Sequence, residues 1–144
     1  PFVDSDRIGV HGWSYGGFMT ISLMTNYPET FKVGVAGGPV IDWKWYEIMY
    51  GERYMETESS NPDGFSQTSL IGKVDALKGK LLICQGAIDN TVVWEHSLSF
   101  VQKCIEKNVQ LDYFPYPCSE HNVFGKWRIH LMDKVTNYFD DYLK

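Results

Sequence analysis

The chain has no run approaching 18 apolar residues, the length a helix needs to cross a bilayer, so no membrane contact is expected from this segment. It also lacks any basic stretch. Lys and Arg number 13 against 18 Asp and Glu, a net charge of −5. Without clustered cations nothing displaces counterions from a phosphate backbone, and no nucleic-acid partner is expected. Cysteine is scarce as well. Cys84, Cys104 and Cys118 stand far apart in odd number, and neither interval has the spacing of a zinc pair or a disulfide framework. They read as buried or free thiols, which leaves the redox compartment open; neither metal nor cofactor is expected. There is no internal repeat and no low-complexity tract.

What is there has the balance of one packed domain. Hydrophobic residues make up 44% and charged residues 22% of the 144, which sets the chain apart from disordered segments. A globule of this size buries about 68–70% of the surface its unfolded chain exposes. The first residue is Pro1 rather than Met, so a processed precursor or a piece of a longer protein is expected.

Strand and helix signals alternate. Arg7–Gly12, Lys32–Ala36, Lys80–Gln85 and Gln110–Pro115 read as strands, and Lys80–Gln85 is a continuous apolar run suited to burial on both faces. Helical patterns run from Ser14 to Asn26, from about Val93 to Lys107 and from about Lys126 to the end. In the second of these Leu98, Val101 and Ile105 are expected on the inner face; in the third, Leu131, Val135, Phe139 and Tyr142. Asp42–Tyr50 looks helical, with aromatics at three- and four-residue intervals. Glu52–Gln67 reads as a polar segment whose Asn61-Pro62-Asp63-Gly64 makes a turn. Strands separated by helices imply an α/β fold, with a mostly parallel sheet of about four strands covered on both faces.

Gly12-Trp13-Ser14-Tyr15-Gly16 fits the G-x-S-x-G nucleophile elbow, a strand-to-helix turn that pushes its serine out at the carboxyl edge of the sheet. The pattern alone is weak, and its place directly between a strand and a helix gives it weight. A serine nucleophile needs a base, and the base needs an orienting carboxylate, in the chain order Ser, acid, His. Asp89 follows the Lys80–Gln85 strand and His121 follows Gln110–Pro115, both at carboxyl ends where open α/β sheets place ligands. The other histidines fit less well: His11 is within a strand, His96 and His130 are within helices, and a packing or surface role is expected for each. Asp112 and Glu120 read as exposed charges. Ser14 Oγ is expected within hydrogen-bond reach of a His121 ring nitrogen, with Asp89 on the other.

Arg7–Met19, Val40–Tyr54, Gly86–Asp89 and Glu120-His121-Asn122 together resemble the prolyl oligopeptidase family, most of all its dipeptidyl peptidase IV subfamily, including bacterial prolyl tripeptidyl aminopeptidases. The resemblance covers essentially the whole chain. It implies an α/β-hydrolase with Ser14 as nucleophile, Asp89 as acid, His121 as base and the backbone N–H of Tyr15 as an oxyanion donor. It further implies that Tyr15, Val40, Trp43, Tyr46, Tyr50 and Val92 form a compact pocket for a proline ring, for which flat aromatic walls and proline's fixed φ are suited. Thr91 falls where the family has a substrate-contacting position, often Asn. The family usually has His-Gly ahead of the acid, where this chain has Gln85-Gly86.

By the same resemblance, the chain is the carboxyl-terminal portion, 1–144, of a truncated catalytic domain. The β-propeller, the first hydrolase strands, the glutamates that hold a substrate's free amino terminus and a tyrosine of the oxyanion hole would lie in an absent portion. The implied activity is release of an amino-terminal di- or tripeptide after proline or alanine, through an acyl-enzyme, from a peptide with a free amino terminus. The isolated 144 residues are expected to be inactive and prone to associate through the unpaired edge of the first strand. A homodimer is compatible with the full-length protein, and a periplasmic or secreted location is favoured by the bacterial relatives. Competing readings are an esterase, against which the aromatic cluster speaks, and a non-catalytic peptide-binding relative, against which the intact Ser14, Asp89 and His121 speak.

Overall fold

The computed structural model describes residues 2–144. Four parallel strands, β1 (Gly9–Trp13), β2 (Val33–Gly37), β3 (Lys80–Gly86) and β4 (Asp112–Tyr116), lie side by side in chain order. The register pairs Trp13 with Gly37, Gly37 with Cys84, and Gly86 with Tyr116, so all four strands end along one edge. Burial follows position in the sheet. Every residue of β2 and all of β3 after Lys80 are buried, whereas β1 and β4 are partly exposed. Among the described residues β1 pairs only with β2, which leaves its other side as the expected free edge.

The helices are α1 (Tyr15–Asn26), α2 (Ile48–Met55), α3 (Pro62–Thr68), α4 (Glu95–Glu106) and α5 (Lys126–Tyr142). The continuous apolar run of β3 is explained by cover on both faces. Leu81 and Ile83 join Phe18, Ile21 and Met24 of α1 and Phe100 and Cys104 of α4 in one core. Leu82 and Cys84 alternate to the other face and meet Leu131, Val135 and Tyr138 of α5. Burial pushes the Cys84 and Cys104 thiols up to about 12, so both are inert packing groups, and Cys118 is exposed; all three are free. Among the described residues no helix is long and apolar enough to cross a membrane.

Four local expectations are corrected. Asp42–Tyr50 is not one helix: a single 3-10 turn, Trp43–Trp45, is followed by extended Tyr46 and then by α2. Asp42 caps the start of the turn: its Oδ1 accepts from Lys44 N–H at 3.1 Å, and its Oδ2 accepts from Ser69 Oγ at 2.7 Å. The break comes at Tyr46 and Glu47, whose ψ of 167° and 137° are not helical. The aromatic spacing brings rings together from two segments instead of lining one helix. Secondly, Asn61-Pro62-Asp63-Gly64 is the start of α3, within what reads as a polar segment. The Asn61 side chain accepts from Gly64 N–H at 3.1 Å and Pro62 takes the first helical position, so the same residue chemistry that makes a turn here caps a helix. Thirdly, Leu98 and Ile105 of α4 point outward, at 44% and 66% exposure, while His96, Ser97, Phe100 and Cys104 face the sheet. The buried stripe is the one that carries Phe100, which is 0% exposed in the core beside Cys104; Ser97, on the same stripe, meets a polar partner on β3, described below. On α5, Tyr138 takes the buried place expected of Tyr142.

Candidate active site

β1 ends at Trp13 and α1 begins at Tyr15, so Ser14 alone makes the corner. Its φ of 61° and ψ of −117° lie in a region that non-glycine residues avoid, a strain typical of such elbows. Both neighbours hold it there. Ser14 N–H donates to Gly37 O at 2.7 Å, and Ser14 O accepts from Phe18 N–H at 3.0 Å. The turn closes so tightly that a Cβ on Gly12 would overlap the backbone of Gly16. Tyr15, at the first helical position, directs its N–H out of the helix end, and no acidic residue in the first turn offsets the positive end of the helix dipole.

Asp89 is nearly buried, at 6% exposure, and its carboxylate is fully committed. Oδ1 accepts from Thr91 N–H and Val92 N–H, both at 2.9 Å, and Oδ2 meets His121 Nδ1 at 2.7 Å. The loops that carry the two residues are laced together: Ala87 N–H donates to Tyr116 O at 3.0 Å and Ile88 N–H to Ser119 O at 3.2 Å. An ionised carboxylate only accepts, so Nδ1 is the donor of this bond, and in a neutral imidazole the lone pair then lies on Nε2. That is the tautomer a general base requires.

His121 is tied to the serine corner through its backbone. Trp13 Nε1 donates to His121 O at 2.8 Å, one residue before Ser14. Beneath the ring, Gly38 adopts φ +44°, and a Cβ there would stand 3.4 Å from His121 Cε1 and 3.6 Å from Asp89 Oδ2. Gly37 O accepts from the Ser14 backbone N–H, so one Gly37-Gly38 turn anchors the serine corner and underlies the His121 and Asp89 side chains. Asp89 and His121 are thus in contact as expected, and Ser14 stands on the same sheet edge. A Ser14 Oγ–His121 hydrogen bond of 3.5 Å or less is not formed among the described residues. Serine–base contacts of this kind are commonly long without substrate and tighten when it binds.

The aromatic residues converge. The Trp43 ring stacks on Tyr50 (5.7 Å between centroids, 14° between planes), meets Tyr46 edge-on at 5.5 Å and lies 5.8 Å from Tyr15. Tyr46 and Tyr50 pack on the core that contains buried Val40 and Val92. Burial pushes the Tyr46 phenol up, and the nearby Glu47 and Asp89 carboxylates add to it more weakly. Thr91 is exposed on the Asp89 loop, its amide held by Asp89 Oδ1. On the side of Tyr15, Tyr50 and Tyr54 the cluster opens on a groove of about 510 Å³. A larger concavity, about 930 Å³, lies between α3 and α4, away from Ser14.

The remaining histidines are outside this site. His11 is exposed on the β1 edge, and His130 pairs with the Tyr116 hydroxyl at 3.0 Å. Asp112 and Glu120 are exposed, although Asp112 also accepts from the Tyr138 hydroxyl at 2.8 Å. His96 is fully buried; its Nδ1 accepts from Ile41 N–H at 3.0 Å, and its Nε2 has no hydrogen-bond partner among the described residues. Burial lowers the His96 pKa, opposed more weakly by Asp42, the Trp45 backbone, Asp89 and Glu95. A histidine that stays neutral in the fold but takes up a proton when unfolded weakens the fold under acid. Stability is therefore expected to fall as pH drops below the unfolded value of about 6.5, by at most about 1.4 kcal/mol per pH unit, until the folded pKa is reached. Denaturant titrations between pH 7 and 5 should show a shallower loss for His96→Gln, whose amide oxygen can still accept from Ile41; equal slopes would remove His96 from the explanation.

Sequence reasoning did not find Trp13, Gly38 and Ser97 as supports of the site. Trp13 occupies a variable position of the elbow pattern, Gly38 reads only as the end of a strand, and Ser97 lies in a helix whose inner face was assigned to other residues.

A parallel sheet with a strand–serine–helix corner at its carboxyl edge is the architecture of an α/β-hydrolase. The model of the prolyl oligopeptidase family matches residues 1–144, and the chain belongs to that family of serine peptidases. A protein of Aspergillus oryzae assigned as dipeptidyl-aminopeptidase B is 43% identical over 143 residues, 96% of this chain and 16% of that protein. The crystal structure of a Bacteroides ovatus protein assigned as dipeptidyl aminopeptidase IV superposes with a TM-score of 0.97 at 57% identity, over 98% of this chain and 20% of that one. Porphyromonas gingivalis dipeptidyl peptidase 4 superposes with a TM-score of 0.95 at 34% identity, over 99% and 20%. The chain therefore spans about a sixth to a fifth of the length of these relatives.

Proposed function

We propose that these residues belong to a serine exopeptidase that releases an amino-terminal di- or tripeptide after proline or alanine through an acyl-enzyme. The observation that carries the reading is the Asp89–His121 pair, at 2.7 Å, on the same sheet edge as the strained Ser14 corner. His121 Nε2 takes the Ser14 Oγ proton as Oγ attacks the scissile carbonyl, and Asp89 steadies the imidazolium through Nδ1–H. The carbonyl oxygen becomes an oxyanion facing Tyr15 N–H. Collapse of this tetrahedral species returns the proton to the leaving amine and leaves the released peptide esterified to Ser14. Water, deprotonated by His121, then hydrolyses the ester.

Tyr15, Val40, Trp43, Tyr46, Tyr50 and Val92 are the proposed walls for the residue at the cleaved bond, with Thr91 beside them. The names of the relatives support a free amino terminus in the substrate. One backbone oxyanion donor is a weak complement, since each such donor is worth about 10²–10³ in turnover. The 144 residues alone are accordingly read as inactive, and the open edge of β1 as a surface through which they associate.

The specificity reading is tested in the full-length enzyme with two peptide anilides, one with proline and one with alanine before the cleaved bond. Tyr46→Ala and Tyr50→Ala should each lower kcat/KM at least several-fold more for the proline substrate, because the ring loses more contact than a methyl group does. Equal losses would assign the two tyrosines to general packing. Acetylating the amino terminus of the proline substrate should abolish cleavage.

A further inference from the structure

The acid loop is held from below by an uncharged side chain. Gln85, the penultimate residue of β3, is 0% exposed, and so is Ser97 of α4. Gln85 Nε2 donates to Val92 O at 2.6 Å and stands 3.4 Å from Asp89 Oδ2; Ser97 Oγ donates to Gln85 Oε1. The amide can face only one way. Turned over, Oε1 would meet the Val92 carbonyl and the Asp89 carboxylate, acceptor against acceptor, and the amide nitrogen would be left with the Ser97 hydroxyl. Val92 is pinned at both ends, its N–H by Asp89 Oδ1 and its carbonyl by Gln85. Its side chain is also part of the core on which Tyr46 and Tyr50 pack. A single buried amide thus links α4, the acid turn and one wall of the aromatic cluster.

We infer that Gln85, fixed by Ser97, is the positioning residue of this site, holding Asp89 and Val92 in register so that the carboxylate meets His121 Nδ1. The inference rests on the proposed roles of Asp89 and His121. Breaking the amide's contacts leaves the Val92 carbonyl and the Ser97 hydroxyl unpaired in a buried place and frees the turn to shift. A displacement of about 1 Å in a catalytic group can cost up to about 10²-fold. Gln85 touches no reacting atom, so the loss should fall mainly on kcat, with any rise in KM limited to what a shift of Val92 costs the pocket wall.

Glutamate at this position gives a sharper readout, because it matches glutamine in shape. Protonated, it can still donate to Val92 O and accept from Ser97; ionised, it sets a second negative charge beside Asp89 Oδ2 and loses the donor. The titratable groups around the position are Asp89 and His121 on the two loops, His96 on α4 and Tyr46 ahead of α2, and both His96 and Tyr46 sense the Asp89 charge. Burial and the Asp89 charge both favour the protonated acid, so it should lose its proton within or above the neutral range.

The test uses the full-length enzyme, with kcat and KM measured from pH 5 to 9 and folding followed by thermal melts. Gln85→Met should lower kcat about 10- to 100-fold at all pH values. Gln85→Glu should be active on the acid side and lose activity as pH rises, a descending limb that the parent and Gln85→Met lack. Ser97→Ala, which leaves the fold least disturbed, should give a smaller loss in the same direction. If Gln85→Met and Gln85→Glu melt at lower temperature but keep the parent's kcat and pH profile, Gln85 is packing and the inference is overturned. If Gln85→Met does not fold, the limb in Gln85→Glu and the kcat of Ser97→Ala decide in the same two ways. Should Asp89→Asn leave the parent kcat unchanged, the proposed roles of Asp89 and His121 have failed instead.

Discussion

Replacing Asp89 by Asn in the full-length peptidase is expected to lower kcat by about 10⁴-fold with little change in KM, the scale of loss when a triad carboxylate becomes an amide. The fold should survive. The Asn oxygen can keep the bonds from Thr91 N–H and Val92 N–H now made by Oδ1, so the turn holds its shape. The amide nitrogen then falls where Oδ2 now meets His121 Nδ1. An NH2 group there donates, which forces Nδ1 to give up its proton and places it on Nε2. A protonated Nε2 cannot take the proton from Ser14 Oγ. Steady-state kinetics with a thermal melt alongside would check this: a loss under tenfold in a well-folded variant would mean that Asp89 does not set the tautomer.

The two glycines of the Gly12-Trp13-Ser14-Tyr15-Gly16 corner are expected to respond very differently. Gly12→Ala puts its Cβ into the Gly16 backbone, and neither side can yield by rotating a side chain. Either the β1–α1 corner opens or Ser14 leaves its strained conformation. We expect a loss of about 3 kcal/mol or more in stability, at the upper end for an overpacked site, and at least 10²-fold in activity. Gly16→Ala has open space at its Cβ and gains helix propensity, so its stability should be unchanged or up to about 1 kcal/mol higher. Denaturant melts of both variants compare the two directly. Equal destabilisation would show that the motif's glycines serve backbone freedom rather than the close approach described here.

Much of this site is legible in the sequence, for identifiable reasons. In a parallel α/β sheet the strand ends are where chemistry gathers, and chain order together with strand-end position separated Asp89 and His121 from the other acids and histidines. The apolar run of β3 announced a strand covered on both faces. The reading failed where local backbone and packing decided. The apparent Asp42–Tyr50 helix breaks at extended Tyr46, the Asn61 cap turned an apparent loop into α3, and Phe100 and Cys104, not Leu98 and Ile105, took the buried stripe of α4. The Gln85 contacts were not legible, because a glutamine closing an apolar strand gives no sign of what it will meet. Its partners come from a helix and a loop that only the fold brings together.

An activated serine reacts quickly with electrophilic phosphonates that ordinary serines ignore, and Ser14 is expected to be one. The most direct measurement is covalent labelling of the full-length protein with a fluorophosphonate, followed by mass mapping of the modified peptide. One adduct on Ser14 is expected, forming quickly in the parent, absent in Ser14→Ala and strongly slowed in His121→Ala. No labelling of the folded parent protein, or labelling that persists in Ser14→Ala, would contradict it.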